Sequence, residues 1–454
     1  MEDAPLSEPG LGRPMHGKVR PTQSRRAGAG LDRAQLRTLM LASLGGVLEF
    51  YDFVIFVFFA GVIGRLFFPA DQPDWLRQVQ TFGLFAAGYL ARPIGGLIMA
   101  HFGDTVGRKR VFTLSVLLMA IPTLLIGLMP TFAHIGPLAP LLLLVMRLLQ
   151  GAAIGGEAPG GWVFVAEHAP RHRTGLALGL LTGGLTGGIL LGSLVAGLLT
   201  LLAGPAAILA WAWRVPFLLG GVFGLAAMVL RRWLSETPVF EAMRLQAGAQ
   251  ALHGGGLPLR GVLSGHRVAV LLSMACTWML TATIVVVILM APALLQKLDG
   301  VPAAQAQLAN LLGSALLCVS AVAVGAATDR WGLRPVALAV VPLLILASYG
   351  LFGLADHGSS GGLFLFYALA GLGAGLVSLV PVVMVQLFPP PLRFSGLSFS
   401  YNVAYAAFGG LTPPLVSWMG TLDRLAPAHY VAAVSLVGLA AVLAARIPPS
   451  SSAS

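Results

Sequence analysis

The chain has 454 residues, of which 57% are hydrophobic and only 10% charged, against roughly 25% charged in an ordinary soluble domain. So few charges cannot cover a water-exposed surface, which excludes a soluble globular protein and leaves a polytopic membrane protein. The net charge of +11 would suggest nucleic acid in a soluble chain, but here it is to be read against membrane spans, and no nucleic-acid partner is expected.

Residues 1–37 carry Arg13, Lys18, Arg20, Arg25, Arg26, Arg33 and Arg37 among Gly, Pro and Ser, with no apolar block before Leu36. They read as a disordered basic tail and not as a cleaved signal peptide. A helix crossing a bilayer needs about 20 apolar residues. Runs of that kind follow at 39–63, 79–102, 111–129, 138–165, 176–203, 215–230, 268–295, 303–328, 336–355, 363–387, 397–419 and 428–445. They predict spans one to twelve of an all-α membrane protein.

Alternating these spans across the membrane places most of the 28 Lys and Arg on the side of the two termini. Because basic loops stay in the cytoplasm, both termini are expected there, in a cell (inner or plasma) membrane. The glycine-rich polar stretch 235–266 separates two six-helix bundles, 38–234 and 267–447, and 448–454 form a short tail. Cys276 and Cys318 both lie in apolar runs and make neither a disulfide framework nor a metal site. There is no G-x-x-x-x-G-K-[ST] loop and no nucleophile, base and acid arrangement, so neither ATP-driven pumping, nor an enzyme, nor a cofactor is expected.

A short motif occurs twice, almost half the chain apart. Between spans two and three stands Ala100-His-Phe-Gly-Asp104-Thr-Val-Gly107-Arg108-Lys109; between spans eight and nine stands Gly325-Ala-Ala-Thr-Asp329-Arg330-Trp-Gly332-Leu-Arg334. One copy would be ordinary turn chemistry; two copies at equivalent places mark an internal repeat. The pair resembles the major facilitator superfamily signature G-x-x-x-D-[RK]-x-G-R-[RK], with Ala100 and Thr105 departing from it in the first copy and Leu333 in the second. Glu49-Phe-Tyr-Asp52, Ala91-Arg92-Pro-Ile-Gly-Gly, Arg147-Leu-Leu-Gln150-Gly151, Gly155-Gly156-Glu157, Trp213-Arg-Val-Pro-Phe217 and Glu236-Thr-Pro238-Val-Phe240 resemble one branch, the metabolite:proton symporters. Phe50 stands where that branch usually has tryptophan.

The resemblance implies a secondary transporter, working by alternating access, that takes up a small organic acid or zwitterion with protons. Members carry shikimate, oxoglutarate, citrate, proline or betaine. It also implies that Asp104, Gly107, Arg108, Glu167, Arg173, Asp329, Arg330 and Gly332 form a cytoplasmic gate, with Asp104 facing the amino end of span eleven.

An ionisable side chain at a helix centre costs roughly 2.5–3.5 kcal/mol on insertion. Five stand inside spans one, two and four: Glu49, Asp52, Arg92, Arg147 and Glu157. Glu49 and Asp52 share a helix face, where two like charges repel, so one of them is expected to bind a proton beside Arg92. Arg92, Arg147 and Glu157 are candidate substrate contacts, with an Arg147–Glu157 ion pair as the architectural alternative. The second half offers neutral groups, of which Tyr401, Asn402 and Tyr405 on span eleven are the candidate contacts at the repeat interface. On span five, Gly179, Gly183, Gly184, Gly187, Gly188 and Gly192 should give one face for a close helix contact.

The expected partners are thus a small carboxylate or zwitterion, protons and the lipid bilayer, with the carrier working as a monomer. Two other classes compete. An efflux antiporter for amphipathic compounds would need a wide apolar cavity and acids without arginine partners; a non-transporting sensor would be expected to carry a signalling appendage.

Overall fold

Hydrocarbon offers no hydrogen-bond partner to the backbone, so an apolar run can cross it only as a helix that satisfies its own N–H and C=O groups. The structure, a computed structural model, describes residues 33–105, 108–232, 258–354 and 360–445, and among these residues every regular element is helical. Span one is Arg33–Phe58, followed by the short helix Ala60–Phe67. Spans two to six are Asp74–Thr105, Arg108–Leu128, Leu138–His168, Thr174–Ala207 and Arg214–Arg232. Span seven runs from Arg267–Ala282 through a π-helical stretch, Thr283–Met290, into Ala291–Asp299. Spans eight and nine are Ala303–Trp331 and Leu333–Tyr349. Span ten joins Ser360–Ala374 to Leu379–Leu387 through a tight turn; span eleven joins Pro390–Ala404 to Gly410–Leu422 through the π segment Tyr405–Gly409. Ala426–Ala444 is span twelve.

Among the described residues, ten helices are long and apolar enough to cross a bilayer. Span three contributes the shorter apolar stretch Thr113–Leu128, and span eleven is divided by its π segment. The outer surface is apolar: Leu201 and Leu202 are 82% and 83% exposed, and Leu90, Ile94, Val268 and Leu346 also face outward, as lipid contact requires. Two expected boundaries shift. Span one begins inside the expected tail, at Arg33, and the expected central loop contains a helix, Pro258–Gly265, packed against span eleven. Residues 1–32, 233–257 and 446–454 lie outside the described residues.

Packing repeats with a shift of six spans. In the first half, span one packs on five and six, two on four, and three on four and six; in the second, seven packs on eleven and twelve, eight on ten, and nine on ten and twelve. The chain is therefore two six-helix bundles of like architecture. They meet chiefly where span five crosses eight and span two crosses eleven.

Span five uses its glycines on two faces, not the one expected. A Cβ on Gly179 would lie 2.9 Å from the Ala321 carbonyl and one on Gly183 3.0 Å from that of Cys318, both on span eight. On the other face a Cβ on Gly184 would lie 2.6 Å from the Ser43 carbonyl of span one, and Gly188 meets Val47 and Phe50. Close backbone approach of this kind needs residues without bulk. It fixes which face of span one looks into the molecule.

Candidate functional site

Spans two and four cross backbone to backbone. A Cβ on Gly151 would collide with the Gly88 carbonyl, and one on Gly155 with that of Arg92. The crossing holds Arg92 against span eleven, where it is 1% exposed. Its guanidinium carbon lies 4.1 Å from the ring centre of Tyr405, 5.2 Å from Tyr401 and 5.6 Å from Tyr89, all within cation–π reach. Its Nε donates a long hydrogen bond of 3.4 Å to Asn402 Oδ1, and Nη2 is buried without a hydrogen-bond partner among the described residues. The rings support one another: Tyr89 and Tyr405 stack at 5.7 Å and 21°, and Tyr401 lies 4.8 Å from Tyr405.

Asn402 is used by the protein itself. Its Nδ2 donates to Gly155 O at 2.6 Å and to Ser398 O at 2.8 Å, while Ser398 Oγ donates to Gly96 O at 2.8 Å. These bonds tie span eleven to spans two and four. Beside them, a narrow cleft opens between the bundles. Phe50, Phe53 and Val54 of span one, Phe85, Tyr89 and Arg92 of span two, Ile154, Ile189, Ile284, Leu289 and Tyr405 line it. Arg92 is the one charged residue among these lining residues.

Asp52 lies elsewhere, not beside Arg92 as expected. Phe50, Phe53 and Val54 turn toward the cavity, so Asp52 occupies the opposite face of span one. There Tyr51 Oη donates to Pro216 O at 2.9 Å and fixes this face against span six. A Cβ on Gly220 of span six would collide with the Asp52 carboxyl, and Thr123 of span three borders the same spot. Asp52 is 1% exposed, and neither carboxyl oxygen has a hydrogen-bond partner among the described residues. The Glu49 side chain lies outside the described residues.

Arg147 is fully buried, its guanidinium carbon 4.3 Å from the Phe56 ring, 4.9 Å from Phe53 and 5.4 Å from Phe85. Nη1 donates to Gln150 Oε1 at 2.9 Å, and Gln150 Nε2 donates to Thr123 Oγ1 at 2.8 Å. The chain Arg147–Gln150–Thr123 thus ends at the threonine that borders Asp52. Glu157 accepts from Ser115 Oγ at 2.6 Å. The structure therefore brings Arg92, Tyr401, Asn402 and Tyr405 together, and places Asp52, Arg147 and Glu157 within the first bundle.

At the basic end of the molecule the halves are joined. Asp329 accepts hydrogen bonds from Gly175 N at 2.7 Å and Leu176 N at 2.8 Å, in the first turn of span five, where free N–H groups favour an anion. Arg393 of span eleven pairs with Glu167 of span four at 3.6 Å. Arg173 sits in the turn before span five, Arg330 stacks 5.3 Å over Trp331, and Gly332, at φ 84°, makes the turn into span nine that a side chain would strain. The side chains of Asp104 and Arg108, and all of Gly107, lie outside the described residues. Sequence reasoning missed Tyr89 and Arg393. Tyr89 stands three residues before Arg92 and so shares its helix face; Arg393 is a solitary arginine at the mouth of span eleven, and its spacing carries no sign of Glu167.

The sequence profile of the Major Facilitator Superfamily matches residues 42–414. The chain is 30% identical to the glycine betaine/proline/ectoine/pipecolic acid transporter OusA of Dickeya dadantii (strain 3937), over 90% of this chain and 83% of that one. It is also 30% identical to a proline/betaine transporter of Salmonella typhimurium (strain LT2), with the same coverage. Among solved structures it superimposes on the proton:xylose symporter XylE bound to 6-bromo-6-deoxy-D-glucose with a TM-score of 0.74 at 17% identity, covering 90% of this chain and 94% of that one. The extent of these matches, over an all-helical fold of two like bundles, shows that the chain belongs to the Major Facilitator Superfamily and is a secondary transporter.

Proposed function

We propose that the protein imports a small zwitterion of the proline or betaine class together with a proton, by alternating access of its two bundles. The observation that carries this reading is Arg92, the one cation among the described lining residues, set against tyrosine rings where the bundles meet. Its fork suits a carboxylate, and the rings suit a substituted ammonium. The transporters of Dickeya dadantii and Salmonella typhimurium, whose names include proline and betaine, support the same class. An efflux carrier for amphipathic cations would instead want an acid on the cavity wall, and none stands among the described lining residues.

Asp52 is the group assigned to the proton, with Glu49 as its neighbour on span one. A buried carboxylate without hydrogen bonds costs several kcal/mol, a cost that binding a proton removes. Arg147, Gln150 and Thr123 then connect that spot to the aromatic wall of the cavity. Bundles 38–234 and 267–447 move about the central segment as a monomer in the cell membrane, with both termini in the cytoplasm, as the placement of basic residues supports. In proteoliposomes with an imposed pH gradient, acid outside, labelled proline and glycine betaine should accumulate against their gradients. Accumulation that ignores the pH gradient would overturn proton coupling, and no uptake of either solute would overturn the substrate class.

The contacts joining the halves at the basic end serve as the gate. Hydrogen bonds to a charged group are worth about 1.5–3 kcal/mol each, so losing the two that Asp329 accepts shifts a two-state equilibrium tenfold or more. Asp329→Ala should therefore leave the fold intact, slow net transport and raise the population open to the cytoplasm. The measurement is labelling of a cysteine placed at Ser395, in a variant lacking Cys276 and Cys318; labelling no faster than in the parent would contradict the assignment.

A further inference from the structure

In this cavity the protein's own cation fills an aromatic cage. Three tyrosine rings surround the Arg92 guanidinium at 4.1–5.6 Å. Its hydrogen bonds go to neutral groups, the 3.4 Å contact from Nε to the Asn402 amide and one to the Tyr401 hydroxyl. Nη2 has no hydrogen-bond partner among the described residues, and the residue is 1% exposed. So the buried charge is held by ring faces and neutral hydrogen-bond partners, and no acid stands among the described lining residues. A substituted ammonium entering the cavity would need the ring faces that Arg92 already covers, and the two cations would repel each other at close range with little water between them.

A carboxylate changes this balance. It offers Arg92 a bidentate, charge-assisted pair stronger than contact with rings and a neutral amide, and it draws the guanidinium off Tyr405. The vacated faces of Tyr405 and Tyr89 then receive the ammonium carried on the same molecule. A ligand with only a positive end cannot remove the arginine; one with only a negative end removes it and leaves the rings empty.

Building on the reading of the protein as a zwitterion carrier, we propose that Arg92 is a specificity-determining residue: a tethered cation that occupies the tyrosine cage until a substrate carboxylate displaces it, so that the carrier rejects ammonium compounds lacking a carboxylate.

The test uses the purified full-length protein and calorimetry with three probes: glycine betaine, choline, and tert-butylacetate, in which carbon replaces the betaine nitrogen. The wild-type protein should bind glycine betaine at least about tenfold more tightly than either of the others. Arg92→Gln should bind choline about tenfold more tightly than the wild type does, and glycine betaine more weakly. Choline binding as tight as betaine binding in the wild type, or no gain of choline affinity in a folded Arg92→Gln protein, would overturn the proposal. Should that variant fail to fold, Tyr405→Leu removes the nearest ring. The preference for glycine betaine over tert-butylacetate should then fall about tenfold, and an unchanged preference would overturn the proposal. A wild-type protein that binds none of the three but binds a dicarboxylate such as succinate would instead overturn the zwitterion reading on which the proposal rests.

Discussion

Asp52→Asn is expected to abolish accumulation of solute driven by a pH gradient while exchange of labelled for unlabelled solute across the membrane continues. Asparagine has the shape of the acid, so the tight space beside Gly220 and Gly224 stays filled, but it cannot take up a proton. One pH unit is worth about 1.36 kcal/mol per proton, so a gradient of two units can concentrate a solute about a hundredfold through one coupled proton. That whole factor should disappear in the variant. Exchange needs only reorientation of the loaded carrier, and Asp52, on the face of span one away from the cavity, does not touch the solute. Accumulation equal to the parent would remove Asp52 from the coupling step and move the assignment to Glu49.

The second large effect is expected at Arg92. Arg92→Lys keeps the charge but loses the planar fork, the bond from Nε to Asn402 and the stacking over Tyr405. Lysine is a compact, strongly hydrated charge that cannot hold a carboxylate with two parallel bonds. Affinity for glycine betaine should fall about tenfold or more, measured by calorimetry on protein whose melting temperature is within a few degrees of the parent. Equal affinity would make Arg92 a packing residue between spans two and eleven.

The fold was largely legible because the bilayer demands long apolar runs, and those runs coincide with the helices. Less visible were the π-helical segments at 283–290 and 405–409, which leave no trace in hydropathy. The repeated Asp-x-x-Gly motif pointed to the loop after span eight, yet not to the amino end of span five that Asp329 grips, because that partner lies 153 residues away in the other half of the chain. Arg92 stood out through its insertion cost, whereas Tyr89 read as one more aromatic on an apolar helix.

Asp52 illustrates the remaining gap. Its charge marked it, and helical spacing already separated it from Phe50 and Phe53. Which of those faces meets the cavity was decided by Gly184 and Gly188 of span five, against which Ser43, Val47 and Phe50 pack, and by the bond from Tyr51 to Pro216. The architectural alternative, an Arg147–Glu157 pair, is likewise replaced by neutral partners, Gln150 for the arginine and Ser115 for the acid.

The most direct test of zwitterion and proton moving together is proton movement itself. Proteoliposomes in weak buffer, with a pH-sensitive dye inside and no imposed gradient, receive a pulse of glycine betaine. Interior acidification that starts with the pulse, scales with labelled betaine taken up and is absent in the Asp52→Asn protein is the result expected of a symporter. Betaine entry with no change of interior pH would contradict it.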